Sequence, residues 1–336
     1  MAIFTSALFE FTRASGVQLW TAGEQVPTGP GIRRLGYKRL GLFPILLVAG
    51  FKARIVDSFY FLVEYPNPVM VVLWVLLKSL LRFDWVKVVH DGSLPTRFGG
   101  FGRLRKMLFK LSVKTADEFV VVNDCLNRFL REEIGVTQKV TTVNPLLPIP
   151  DSEKQAALPP GIESAFAQYE MVVVSTGVFI PDYGFEHAAL AVERLRRETG
   201  TDIALILIDG VFARDEVYRH TVLAGRDWIT VLEKVPHAQV LEIFRRSKVF
   251  IRGFRYEAYG LSRIEAIWCG IPVIAAMGGE NRGMLLYEFG ELDLLTSHLR
   301  QALFSLSPQE TERWADIFQH QAENNLERWR QILLGR

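Results

Sequence analysis

The sequence predicts an α/β protein of two doubly wound, Rossmann-like domains facing each other across a cleft. Three observations carry this. Short runs rich in Val and Ile recur along the chain, separated by stretches of helical character, the pattern of a parallel sheet covered on both faces. At 336 residues the chain is long for one core and suits two domains of ordinary size. Between them, Pro145 to Pro160 holds five prolines, and such a stretch resists both helix interior and central strand.

Taken in order, residues 2–15 read as a short helix leading into a strand at Val17 to Trp20, and Gly23 to Gly36 as a Gly/Pro-rich loop. Arg54 to Val63 reads as a strand, Tyr65 to Pro68 as a loop, and Val69 to Arg82 as a helix that Pro68 can start. Strands follow at Val86 to Val89, ending on His90-Asp91, at Glu118 to Val122 and at Val140 to Val143. A basic amphipathic helix at Leu104 to Val113 and a helix at Asn123 to Glu133, capped by Asn123, lie between them. Beyond the proline-rich segment, strands at 171–175, 204–208, 229–232, 249–252 and 273–276 alternate with helices at 186–197, 215–224, 239–247 and 261–268. The last stretch, Asp316 to Leu334, is a polar helix with Ile317, Leu326, Trp329 and Ile332 as its apolar residues. The expected domains are 1–150 on the amino side and 160–315 on the carboxyl side, with 316–336 as a helix returning toward the first.

Composition narrows the class. Hydrophobic residues make up 49% and charged residues 23%, which excludes a disordered chain. The net charge of +2 hides an asymmetry: residues 1–150 hold 19 Lys and Arg against 11 Asp and Glu, a balance of +8, leaving 20 against 26, or −6, for residues 151–336. Residues 25–56 contain no acid, and a second basic stretch runs from Arg97 through Arg103, Arg105, Lys106, Lys110 and Lys114. Such a surface attracts phosphates of an anionic lipid or a nucleotide, or simply faces water. Nucleic acid is not indicated, because no helix-turn-helix, zinc-finger or stacking motif accompanies the charge. Cys125 and Cys269 read as reduced, buried small residues, and six scattered histidines make no metal spacing, so no metal is expected. No signal peptide opens the chain. The run Val69 to Leu77 is nine residues long, where spanning a bilayer takes about 20.

The most informative window is Tyr256-Glu-Ala-Tyr-Gly-Leu-Ser-Arg-Ile-Glu265. Glu257 falls in the loop after the strand 249–252 and Glu265 in the following helix, slightly over two turns away, so both can border the amino end of that helix. A phosphate can sit against the amides of Gly260 and Leu261, aided by the helix dipole. Two carboxylates around an anion site suit a sugar nucleotide, since each accepts bonds from vicinal hydroxyls of a pyranose or a ribose. By spacing alone, a helix-capping Glu257 and a solvated Glu265 fit equally. Leu261, Ile264, Ile267 and Trp268 form an apolar stripe that places Glu265 off the core face.

The Glu-x7-Glu spacing, the following Ala266-x-x-x-Gly270-x-Pro272-Val273 and then Gly278-Gly279-Glu280 resemble the donor site of family 4 glycosyltransferases with the GT-B fold. Val120-Val-Val-Asn-Asp, Val143-Asn-Pro and Thr176-Gly177 through Gly184 follow the same order, and Glu323-Asn-Asn-Leu-Glu327 is similar to the family's last helix. The resemblance implies that Glu257 contacts the transferred sugar, Glu265 holds the ribose, the Gly278-Gly279 loop borders the sugar, and His90 faces it from the other domain. It implies retention of anomeric configuration and no cofactor beyond the nucleoside diphosphate-sugar donor.

Two positions depart from the family. An arginine after Gly177 and a lysine five residues later normally grip the diphosphate, and Val178 and Tyr183 stand there. Lys234, Arg252, Arg255, Arg263 and Arg282 are the candidate substitutes. The chain also reads as opening at or after the family's first helix, without its Gly-Gly loop. The expected activity is therefore sugar transfer from a nucleoside diphosphate donor to a saccharide, lipid-linked or other hydroxyl acceptor, in glycolipid or cell-surface polysaccharide synthesis. The expected place is the cytoplasm, with attachment to the cytosolic face of a membrane. A non-catalytic scaffold of the same fold, or another two-domain sugar-nucleotide enzyme such as an epimerase, are the alternatives.

Overall fold

The computed structural model describes residues 84–150, 155–158, 161–211 and 213–335, residues 76 and 78–80, and the backbone of strands at 19–21, 32–34 and 54–58. The expected helices at 2–15 and 69–82, the loop at 23–36 and the acid-free stretch 25–56 lie largely outside the described residues. By internal contacts the chain divides into two compact units, 1–148 with 322–336, and 149–321.

In the first unit, β1 (Leu19–Thr21) and β2 (Ile32–Arg34) pair in parallel as a separate ribbon. A four-stranded parallel sheet has the order β3-β4-β5-β6, made of β3 (Arg54–Ser58), β4 (Asp84–Val89), β5 (Glu118–Val121) and β6 (Lys139–Thr142). The central strands β4 and β5 are buried along almost their whole length, which is why they read as continuous apolar runs rather than alternating ones. Two charged residues are buried with them: Lys87, fully buried, donates to Ser112 O (3.1 Å) and Thr115 Oγ1 (3.0 Å), and Glu118 pairs with Lys139 (2.9 Å), so neither charge is left unpartnered. Helices α1 (Leu94–Gly99) and α2 (Arg103–Val113) connect β4 to β5. Helix α3 (Asp124–Arg128) begins on Asn123, whose side chain accepts from Leu126 N (2.8 Å), and ends in a π-helical turn at Phe129–Ile134. Cys125, expected to be buried, is exposed, because α3 turns Leu126 toward the core instead.

The second unit opens with α4 (Glu163–Gln168) and alternates strand and helix up to β11: β7 (Met171–Gly177), α5 (Phe185–Thr199), β8 (Ile203–Asp209), α6 (Glu216–Leu223), β9 (Ile229–Glu233), α7 (His237–Arg246), β10 (Val249–Arg252), α8 (Leu261–Trp268) and β11 (Val273–Ala276), which β12 (Leu285–Tyr287) follows without a helix. All neighbours in its six-stranded sheet are parallel, in the order β12-β11-β10-β7-β8-β9. The chain winds outward from β7 to β9 and then crosses back to β10 on the other side of β7. The loops after β7 and β10 therefore leave in opposite directions and open a crevice at their carboxyl ends. A single apolar cluster, with Val173, Phe185, Leu205, Ile251, Ile274 and Tyr287 at its centre, fixes those two strand ends against each other. Helix α9 (Leu292–Phe304), for which no element was expected, packs on α5.

Helix α10 runs from Pro308 to Leu334. Of the apolar residues expected on it, Trp329 and Ile332 are buried, while Ile317 and Leu326 are half-buried. The buried residues are Thr311, Phe318, Ala322, Asn325, Trp329 and Ile332, a regular helical stripe in which Asn325 and Ala322 were too polar or too small to be noticed. Within the first unit, Asn325 donates to Leu146 O (3.2 Å) and to the Asn144 side chain, and Trp329 Nε1 donates to Asn144 O (3.1 Å). These bonds satisfy backbone acceptors just after β6 that would otherwise be buried without donors. Among the described residues no helix is long and apolar enough to cross a membrane.

Candidate functional site

Strand β10 ends at Arg252, and the loop behind it carries Glu257 back to Gly260, the residue before α8. Among the described residues, neither the Gly260 nor the Leu261 amide has a hydrogen-bond partner within the chain, as expected at a helix start. Helix α8 covers Leu261–Trp268, the span expected from the sequence.

Glu257 is nearly buried and accepts from Arg252 Nε at 2.7 Å. Burial pushes its carboxyl up, but the Arg252 and Arg263 charges beside it outweigh burial and hold it below the ordinary value. It therefore stands ionised between two guanidinium groups. Arg252 also donates through Nη1 to Thr176 O at 2.6 Å, which ties the end of β10 to the end of β7.

Glu265 lies on α8 but not on a solvated face. It is buried, and Oε1 sits 3.0 Å from His237 Nε2 at the start of α7. The helix is enclosed on more sides than one apolar stripe, because Arg263 and Glu265 are buried together with Ile264, Ala266 and Ile267. His237 was not picked out from sequence: it is 28 residues away from Glu265, with no motif linking them.

The glycine pair closes over Glu257. Gly279 has φ +67°, and a Cβ there would lie 2.8 Å from Tyr259 O and 3.1 Å from Glu257 Cγ, so only glycine lets this loop approach so closely. Arg263 holds the loop from beneath. It is fully buried and donates through Nη1 to Gly278 O (2.5 Å) and through Nη2 to Ala276 O (2.9 Å). Arg263 is thus committed to backbone carbonyls and is not an available substitute cation.

The other candidates divide clearly. Arg282 pairs with Glu280 through two nitrogens, at 2.8 and 2.6 Å. Arg255 is exposed, with its guanidinium over the Tyr256 and Phe289 rings. Lys234 is exposed at the end of β9 in a left-handed conformation, φ +53°. Val178 is fully buried, and Tyr183 stacks on Phe254 with ring centres 4.2 Å apart. The Tyr183 ring also lies directly on Gly177, where a Cβ would fall 2.5 Å from Tyr183 Cδ1. Neither side chain carries charge.

His90 follows β4 in the first unit, and burial pushes its imidazole down to about 4, so the ring is neutral at physiological pH. Asp91 beside it accepts from Ser93 N (2.9 Å) and Ser93 Oγ (2.7 Å) and pairs with Arg97. The structure gathers Gly177, Arg252, Glu257, Gly260, Gly278 and Gly279 around the crevice after β7 and β10, with Leu261 and Glu265 on α8 beside them. His90 belongs to the other unit, and Arg255 points its charge to the surface.

Residues 163–285 match the family of glycosyl transferases group 1. No curated protein matches the sequence. Among solved structures, sucrose-phosphate synthase from Thermosynechococcus elongatus superposes with a TM-score of 0.69 at 18% identity, over 98% of this chain and 89% of that one. A trehalose-6-phosphate structure from E. coli bound with UDP-2-fluoro glucose gives 0.68 at 13% identity, over 98% and 94%. A UDP-forming α,α-trehalose-phosphate synthase from Burkholderia xenovorans gives 0.66 at 18% identity, over 84% and 72%. At these identities the likeness is one of fold: the chain has the mixed α/β, parallel-sheet fold of these structures, and residues 163–285 carry the glycosyl transferases group 1 pattern.

Proposed function

We propose that this protein is a retaining glycosyltransferase of family 4 that moves a sugar from a nucleoside diphosphate donor to a hydroxyl acceptor. The observation that carries the reading is that Glu257 and the Gly278-Gly279 loop meet at the amino end of α8, beside the switch point of the sheet, with Glu265 about one turn further along the same helix. An ionised carboxylate against a glycine loop suits sugar hydroxyls, and the unpaired amides of Gly260 and Leu261 suit a phosphate. In the reaction the anomeric carbon–oxygen bond to the diphosphate breaks. A bond to the acceptor oxygen forms on the same face, and the acceptor proton passes to a phosphate oxygen of the leaving group. The α8 amides and nearby cations stabilise the negative charge that develops there. His90 enters this reading through the family resemblance, as a neutral ring for the sugar.

A donor-binding scaffold without turnover is the second reading, favoured by the uncharged Val178 and Tyr183. The test is turnover of UDP-, GDP- and ADP-sugars with and without glycoside and lipid-linked acceptors. The first reading expects acceptor-dependent release of nucleoside diphosphate with α-linkage retained. Tight nucleotide binding with no release under any acceptor supports the scaffold instead.

The acceptor side of the reading is a glycolipid or cell-surface polysaccharide precursor at the cytosolic face of a membrane. Sequence left open whether the apolar residues of α2 pack on the sheet or face outward. Leu104, Met107 and Leu111 are 65%, 59% and 39% exposed, while Phe109, Ser112 and Val113 form the buried face. Arg103, Arg105, Lys110 and Lys114 are exposed around them, and residues 92–116 contain no acid. An outward apolar stripe flanked by cations supports an in-plane position at an anionic bilayer, at about 1 kcal/mol per well-placed cation. Co-sedimentation with phosphatidylserine vesicles at low salt is expected to exceed that with neutral vesicles and to fall at high salt. It is also expected to drop by roughly three orders of magnitude in affinity when Arg103, Arg105, Lys106 and Lys110 are neutralised together. Equal sedimentation with both vesicle types would place the acceptor in solution.

A further inference from the structure

We propose that Arg252 is the cation that holds the donor diphosphate in this protein, in place of the pair missing at positions 178 and 183. The proposal rests on the nucleotide-sugar reading above and assigns one binding role within it.

A leaving diphosphate in a poorly solvated crevice needs a counter-charge within contact distance. Val178 is buried in the core and Tyr183 is stacked on Phe254, so the loop after β7 offers none. Strand β10 pairs in parallel with β7, Ile251 lying opposite Ser175. The next residue, Arg252, therefore comes level with Thr176, one position before Gly177. Its Nη1 donates to Thr176 O, and its guanidinium carbon lies 5.2 Å from the Tyr183 ring centre and 5.4 Å from that of Phe254. The charge thus sits beside the side chain that replaces the expected lysine, brought there from the neighbouring strand.

Arg252 also has capacity left. Nε is used by Glu257 and Nη1 by the Thr176 carbonyl and hydroxyl, while Nη2 makes no hydrogen bond among the described residues. The cluster around it is not neutral, because Arg252 and Arg263 face the single carboxylate Glu257. Arg263 spends its terminal nitrogens on Gly278 and Ala276 carbonyls. The surplus positive charge is therefore presented by Arg252, and a phosphate oxygen fits its open donor. Because the same guanidinium grips Glu257, the group for the sugar and the group for the phosphate are held in one fixed relation.

The experiment compares binding of a nucleoside, its monophosphate and its diphosphate, in the uridine, guanosine and adenosine series, to the whole protein by calorimetry. The wild-type chain is expected to prefer one diphosphate over its nucleoside, and Arg252→Gln to weaken that diphosphate roughly 10- to 100-fold while leaving the nucleoside nearly unchanged. Adding Tyr183→Lys to Arg252→Gln is expected to restore most of the preference, which a merely structural role for Arg252 would not permit. Should Arg252→Gln fail to fold because Glu257 loses its nearest partner, the double variant Arg252→Gln with Glu257→Gln removes both members of that ion pair and is expected to lose the preference in the same way. A diphosphate preference that survives in the folded variants overturns the role of Arg252 and leaves the nucleotide-sugar reading standing. A wild-type chain that binds none of the three series overturns both.

Discussion

Replacing Glu257 by glutamine is expected to lower turnover by about 100-fold or more while leaving nucleoside diphosphate affinity unchanged or slightly stronger. The carboxylate is nearly buried, ionised and fixed by Arg252 at 2.7 Å, so a neutral amide of the same shape removes charge at the sugar without opening a cavity. A group that acts mainly on the transition state lowers kcat and kcat/KM together. Loss of the negative charge also frees Arg252 for phosphate, which is why ground-state affinity does not fall. Glu265→Gln should do the opposite. One of its oxygens meets His237 and the other makes no hydrogen bond among the described residues, so on the proposed reading the expected change is roughly tenfold weaker nucleotide binding with turnover at saturation largely kept. Calorimetry and steady-state kinetics on the two variants decide this. Wild-type values in both would remove the pair from the donor site.

The second large effect concerns stability. Arg263→Met is expected to cost about 3–5 kcal/mol, read as a lowered urea midpoint of unit 149–321. Burial pushes the Arg263 guanidinium down to about 10, which still leaves it charged at neutral pH and therefore costly to bury without partners. Those partners are the carbonyls of Ala276 and Gly278 and the Glu257 charge. Methionine fills the volume but supplies no donor, so two buried carbonyls lose their hydrogen bonds and the Gly278-Gly279 loop loses its anchor. Lysine is expected to rescue little, because one ammonium does not reproduce the planar fork that reaches two carbonyls. Hydrogen exchange should quicken in residues 276–283 of the methionine variant. A loss under about 1 kcal/mol would show that the loop is held by the Tyr259 and Glu257 contacts alone.

How much of this was legible beforehand differs from element to element. The inner strands β7, β8, β10 and β11 of the second unit were readable because they are buried along most of their length and so read as apolar runs, whereas the short edge strand β12 was not expected. Helix α8 was readable in extent, but not in environment. Arg263 and Glu265 are charged, and charge is a sign of solvent unless a partner is known. Those partners, carbonyls at 276 and 278 and the imidazole at 237, come from other elements. Trp329 and Ile332 of the α10 stripe were named from the sequence, but Asn325 was not, since it is buried by bonds to Asn144 and Leu146 that local spacing does not contain.

The sequence by itself determined the α/β class with its alternation of strands and helices, and the spacing of the two glutamates and the glycine pair that follows them. Each is written in local spacing, and local spacing follows from strand and helix geometry. Only the tertiary structure decided which of five candidate cations adjoins the empty clamp positions. That choice depends on β10 lying beside β7, a pairing between segments some 76 residues apart in the chain. It also decided that the apolar residues of α2 face outward, because Phe109 and Val113 occupy the buried face instead. A helix with apolar residues on two sides buries only the one its neighbours cover.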